Sequence, residues 1–132
     1  MALKLSLKPH EKLIIGGAVV TNGGDRCSLI IENSVPLLRE KEILRLEDAD
    51  TPCKKIYFTV QLMYVDEQNL SKHHANYWGL VKDVINAAPG TLGIVDRMSE
   101  QILAGAYYQA LKTARLLINY EKEALGNVLG AA

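Results

Sequence analysis

Leu3-Lys4-Leu5-Ser6-Leu7-Lys8-Pro9-His10-Glu11-Lys12-Leu13-Ile14-Ile15-Gly16-Gly17 opens the chain with strict alternation, a turn and a second apolar run. Successive side chains of a strand point to opposite sides, so Leu3, Leu5 and Leu7 share one face and Lys4, Ser6 and Lys8 the other. Burying the leucine face leaves a polar, partly basic face outside. Pro9-His10-Glu11 turns the chain, Lys12 to Ile15 gives a second strand, and Gly16-Gly17 ends it where φ can be positive without steric cost.

The same punctuation continues to about Arg39. Ala18 to Thr21 is expected as a third strand and Cys27 to Glu32 as a fourth. Between them, Asn22-Gly23-Gly24-Asp25 carries the strongest hairpin signal, because a type I′ turn needs φ > 0 at both central residues. Val35 to Arg39 completes the set, and Pro36 assigns it to an edge because proline cannot donate to the ladder. The expectation is a meander of five short antiparallel strands forming one small sheet.

After Asp50 the apolar period lengthens. Thr51-Pro52 supplies an N-cap and a first-turn proline after the acidic Glu47-Asp48-Ala49-Asp50. Ile56, Val60, Met63 and Tyr64 then share a helical face, although Ile56, Phe58, Val60 and Leu62 also alternate; the length of the run and its cap favour helix. A second helix is expected from Leu70-Ser71 to about Ala87, a third from Thr91 to about Ala104, and a last one from beyond Gly105 to about Leu125. The pair flanking Gly105 reads as an antiparallel αα-hairpin. In the last helix Tyr107, Ala110, Leu111, Ala114, Leu117, Ile118 and Glu121 form one stripe, apolar except at Glu121, which belongs to a core or a partner face. The fold class is therefore α+β, with a β module at 1–48 and a helical region at 49–132.

Composition bounds the chemistry. The chain has 132 residues, 48% of them hydrophobic and 23% charged, which suits a packed protein rather than a disordered one. Fifteen Lys and Arg cancel fifteen Asp and Glu, so any polyanion must be met by a local basic strip rather than a broad field. No apolar run reaches the roughly 18 residues of a membrane span, and Met1-Ala2-Leu3-Lys4 opens no signal-peptide h-region, so a cytoplasmic location is expected. Cys27 and Cys53 lack metal-ligand or redox spacing and read as reduced thiols packed as small hydrophobes.

Catalysis finds no positive sign. His73 and His74 point about 100° apart on a helix and cannot easily chelate one ion, so they read as solvated residues at a helix start, and no metal or cofactor is expected. Gly16-Gly17 and Gly23-Gly24 fit turns, not phosphate loops. Glu47-Asp48-Ala49-Asp50, the one carboxylate cluster a nuclease could use, reads better as a helix lead-in. Tyr107, Tyr108 and Tyr120 could stack bases, but at helical spacing they read as core.

Across its length the chain resembles the flagellum biosynthesis repressor family (FlbT). The resemblance lies in Leu3-Lys4-Leu5-Ser6-Leu7-Lys8-Pro9, Gly17-Ala18-Val19-Val20 with Asn22-Gly23, and Leu38-Arg39-Glu40-Lys41. It continues in Thr51-Pro52 with Ile56-Tyr57-Phe58, Met63-Tyr64, and Gly105-Ala106-Tyr107-Tyr108-Gln109-Ala110-Leu111-Lys112 before Tyr120-Glu121. The family implies a post-transcriptional repressor that acts on the 5′ untranslated region of flagellin mRNA, limiting translation and hastening decay. It also implies a functional antagonist, the flagellar regulator FlaF.

About the first third is similar to the carbon storage regulator family (CsrA), in Leu5-Ser6, Lys8, Glu11, Ile15-Gly16, Leu38-Arg39-Glu40 and Ile43. That resemblance implies five strands, interlocked subunits and an mRNA loop containing GGA held on the basic edges of the first and fifth strands, with Arg39 a principal contact. One position departs from it: a basic residue follows the first-strand serine in that family, and Leu7 stands there here. Arg39, Lys41, Lys4 and Lys8 are thus the expected RNA strip, with Asn22 and Arg26 at the hairpin tip. A homodimer is expected because a second copy would protect the sheet edges. The alternative is an interaction module or chaperone-like adaptor whose helical hairpin binds FlaF or another flagellar protein without touching RNA.

Overall fold

The computed structural model describes residues 2–131, with side chains as far as Ala124. The chain divides into two compact units, Met1–Ile43 and Leu44–Ala132.

The first unit holds strands β1 (Leu3–Leu7), β2 (Lys12–Ile15), β3 (Ala18–Thr21), β4 (Cys27–Ile31) and β5 (Leu37–Arg39). They form two antiparallel sheets instead of one meander: β1 pairs with β4, while β2 lies between β3 and β5. The register sets Leu5 opposite Leu29 and Leu7 opposite Cys27, so the period-two leucines face inward together. Leu5, Leu7 and Leu13 are the buried centre, with Ile15, Cys27, Leu29, Ile31 and Leu37 packed against them. Leu3, at the strand end, is 49% exposed and falls outside that centre.

The corner after β1 explains the split. His10 adopts φ +64°, and its N–H donates to the Asn22 carbonyl at 2.8 Å while the Asn22 N–H donates to the Glu11 carbonyl at 3.0 Å. The corner is thus bonded to the chain leaving β3, which carries β2 away from β1. Asn22-Gly23 is therefore not a hairpin: β3 and β4 lie in different sheets, and neither Gly23 nor Gly24 has positive φ. The Asn22 side chain makes an Asx turn instead, accepting from the Gly24 N–H at 3.1 Å. The tight hairpin falls one turn earlier, where Ile15 faces Ala18 across Gly16-Gly17. Gly16 alone is positive there, at φ +58°, as a type II′ turn requires of its first central residue. Pro36 precedes β5, and its carbonyl accepts from the Gly16 N–H at 2.7 Å.

The second unit holds α1 (Pro52–Val65), α2 (Leu70–Ala87), α3 (Leu92–Leu103) and α4 (Tyr107–Ala131). Thr51 caps α1 by accepting from the Lys54 N–H at 3.2 Å, with Pro52 in the first turn. Helix wins over the competing alternation because α1 is buried almost all round: Ile56, Val60 and Met63 are inaccessible, and Thr59 and Gln61 are buried as well. The Gln61 amide takes both backbone groups of Leu44, its oxygen from the N–H at 2.8 Å and its nitrogen to the carbonyl at 2.9 Å. These two bonds tie the lead-in segment to α1.

The expected stripe of α4 is core: Ala110, Leu111, Ala114, Leu117 and Ile118 are buried, and α4 packs on both α1 and α3. Glu121, its one polar member, caps another helix, accepting from the Thr51 hydroxyl at 2.5 Å and the Cys53 N–H at 3.2 Å. Cys53 is a free thiol, pushed up to about 12 by burial and by the Glu121 carboxylate. The turn between α3 and α4 is a Schellman motif: Gly105, at φ +75°, donates to Ile102 and Ala106 donates to Gln101. Gly126 does not stop α4 at the expected Leu125, since glycine costs a helix about 1 kcal/mol without ending it.

His73 departs from the expectation of a solvated residue. It is 7% exposed, and its Nε2 lies 3.0 Å from an Asp66 carboxylate oxygen. The Asn69 amide and then His73 hold the Asp66 carboxyl below its ordinary value. His74 turns away and meets the Tyr107 hydroxyl at 3.2 Å.

Candidate functional site

Ser6 and Lys8 from β1, Glu11 from the corner, Arg26 before β4, and Arg39, Glu40 and Lys41 at the end of β5 line a cleft of about 410 Å³. Four cations stand there against two carboxylates, a local surplus in a chain of formal net charge zero.

Arg39 is the centre of the cleft. Its Nη2 donates to the Ser6 carbonyl at 2.8 Å and to a Glu11 carboxylate oxygen at 3.1 Å. Both bonds use one nitrogen, so among the described residues the N–H groups of Nε and Nη1 have no partner. The side chain is about one-third exposed while Glu11 is largely covered, which makes the pair a fixed floor rather than a mobile surface contact. The other Glu11 oxygen accepts from the Lys8 N–H at 2.9 Å. That backbone bond, followed by the Arg39 bond, holds the Glu11 carboxyl below its ordinary value. The Arg39 N–H donates to Glu42 at 3.0 Å, and the Lys12 N–H to Glu40 at 3.3 Å, so the turn after β5 is fixed from both sides. Arg26 donates to the Ser6 hydroxyl at 3.3 Å.

Four of the six expected residues, Arg39, Lys41, Lys8 and Arg26, meet in the cleft. Lys4 lies outside its lining, on the exposed face of β1 opposite Ile30. Asn22 holds the corner together, its amide nitrogen donating to the carbonyls of Leu7, Lys8 and Asp25 at 3.3, 3.0 and 2.9 Å. Leu7 is 1% exposed, so its position serves the core and Lys8 brings the cation to the cleft. The sequence marks Glu11 only as a turn and motif residue. Nothing local in the sequence marks it as the partner of a residue 28 positions away.

The cleft has no nucleophile set between a base and an orienting carboxylate, and among the described residues no three His, Cys, Asp or Glu side chains gather as metal ligands. Among the described helices none is long and apolar enough to cross a membrane. A β module with a locally cationic cleft, followed by a helical unit, defines the class: a small two-unit α+β protein.

The particular family follows from comparison with known proteins. The family model described as flagellar protein FlbT matches residues 3–125, and the chain belongs to that family. It is 45% identical over 127 residues to a Bradyrhizobium diazoefficiens protein named "Probable flagellum biosynthesis repressor protein FlbT 1", covering 96% of this chain and 86% of that one. It is 40% identical over 130 residues to a Caulobacter sp. protein of similar name, covering 97% and 99% of the two chains. The "Flagellum biosynthesis repressor protein FlbT" of Caulobacter vibrioides is 39% identical over 130 residues, with 97% and 92% covered. No solved structure matches the chain.

Proposed function

We propose that the protein is a non-enzymatic, post-transcriptional repressor of flagellin synthesis that binds the 5′ untranslated region of flagellin mRNA, limiting translation and promoting decay. Membership of a family whose relatives are named flagellum biosynthesis repressors supports the regulatory half of this reading. The observation that carries the RNA half is the cleft, where Arg39 offers unspent N–H donors among Lys8, Arg26 and Lys41. A planar guanidinium suits phosphate or a base edge, while the ammonium groups of Lys8 and Lys41 add position without sequence choice. RNA loops are read as splayed, unstacked nucleotides, and an open cleft of this kind admits one.

In this reading the protein acts in the cytoplasm. A homodimer and regulation by FlaF belong to the same proposal, although strand exchange is not needed to complete the ladders: β1 finds β4, and β2 finds β5, within one chain. The alternative, an adaptor acting through the stripe of the last helical hairpin, is disfavoured because that stripe is buried in the protein's own core.

Gel shifts with the full chain and a flagellin leader RNA test the proposal. Arg39→Ala should weaken binding about tenfold or more, the loss of one charge-assisted contact. Equal affinity for wild type and Arg39→Ala, or no binding at low salt, would remove the cleft from the function.

A further inference from the structure

The helical unit carries an open groove of about 450 Å³ that the RNA reading does not use. Val84, Ala87 and Ala88 at the end of α2, Tyr120 and Ala124 of α4, and Pro52 of α1 give it an almost wholly apolar wall. Tyr120 has a built place there: a Cβ on Gly90 would lie 2.6 Å from its hydroxyl, so glycine at that turn lets the ring lie close.

The charges of the groove have one sign. Asp83 and Glu121 line it, and among the described residues no Lys or Arg does. Glu121 is engaged by Thr51 and the Cys53 N–H, whereas Asp83 is exposed and forms no ion pair among the described residues. The C-terminal end of α2, at Ala87, adds its partial negative charge. The wall thus asks for an apolar group with a cation beside it.

The openness of the groove selects among such ligands. Pro52, Asp83, Ala87, Tyr120 and Ala124 are all exposed, so the site cannot enclose most of a small molecule's surface as ligand pockets do. An apolar anchor projecting from a partner helix is buried by such a groove, while the rest of that helix lies across the rim.

We infer that this groove docks a peptide segment of a partner protein, one presenting a bulky apolar side chain next to a Lys or Arg. The apolar residue fills the space between α2 and α4, and the cation meets Asp83 and the end of α2. This site is separate from the Arg39 cleft, so it stands or falls independently of RNA binding.

A peptide library displayed on phage and selected on the immobilised full chain tests it. Enriched peptides should pair a bulky apolar residue with Lys or Arg within one helical turn. Their binding should fall about tenfold or more on Ala87→Arg, which fills the groove and repels the cation, and fall on Asp83→Lys as well. Both positions are exposed, and circular dichroism of each variant should match wild type. No enrichment, enrichment of acidic or wholly polar peptides, or equal binding to wild type and Ala87→Arg would overturn the inference.

Discussion

Glu11 is worth more than a turn residue because two groups share its carboxylate. Its carboxylate joins the Lys8 backbone to the Arg39 guanidinium, and both hold its pKa down. A carboxyl lowered in the folded state contributes stability above its unfolded pKa, about 4.3 for glutamate, and that contribution is lost as pH falls through the lowered folded value. Glu11→Gln should therefore be less stable than wild type at neutral pH, with the gap closing in the acid range. Urea titrations of both proteins from pH 7 downwards check this, and a gap that stays constant with pH would show that Glu11 carries no such linkage. At this scale the motifs of the sequence point to Arg39 and Lys8, which do line one cleft, but not to what orients Arg39: the Glu11 partnership depends on β2 and β5 lying side by side.

Among the elements, the α3–α4 hairpin was the most legible and the β3–β4 connection the least. Periodicity placed the stripe of α4 and glycine placed its turn, because both are local signals. Gly105 sits at φ +75° with open space around its Cβ position, so backbone strain alone penalises a side chain there. Gly105→Ala should lower stability by about 1 to 2 kcal/mol, the cost of holding an L-residue left-handed. A thermal melt showing no loss would mean that the Schellman turn relaxes freely. Asn22-Gly23 misled for the opposite reason: its two-residue signature assumes that the flanking strands pair. Here the Asn22 side chain is spent on three carbonyls of the corner, and the strands part into different sheets. Glu121 breaks the apolar stripe with no local reason in the sequence, because its partner Thr51, just before α1, lies 70 residues earlier.

The whole molecule sets an upper limit on how its charge can act. Formal net charge is zero, so binding to a polyanion depends on local groups, and the cleft offers four: Lys8, Arg26, Arg39 and Lys41. Each phosphate neutralised on a single strand adds about 0.7 to the magnitude of the slope of log K against log salt, so the full chain should show a slope no steeper than about −3. Arg39→Ala and Lys41→Ala should each make it shallower by up to about 0.7, since each removes at most one phosphate contact. The Asp83 groove of the helical unit has the wrong sign for RNA, so Asp83→Lys should leave the wild-type slope unchanged if RNA keeps to the cleft. Affinities measured across a salt series decide this. A slope near about −7 would demand roughly ten contacts, more cations than the cleft contains, and would move the RNA surface elsewhere on the protein.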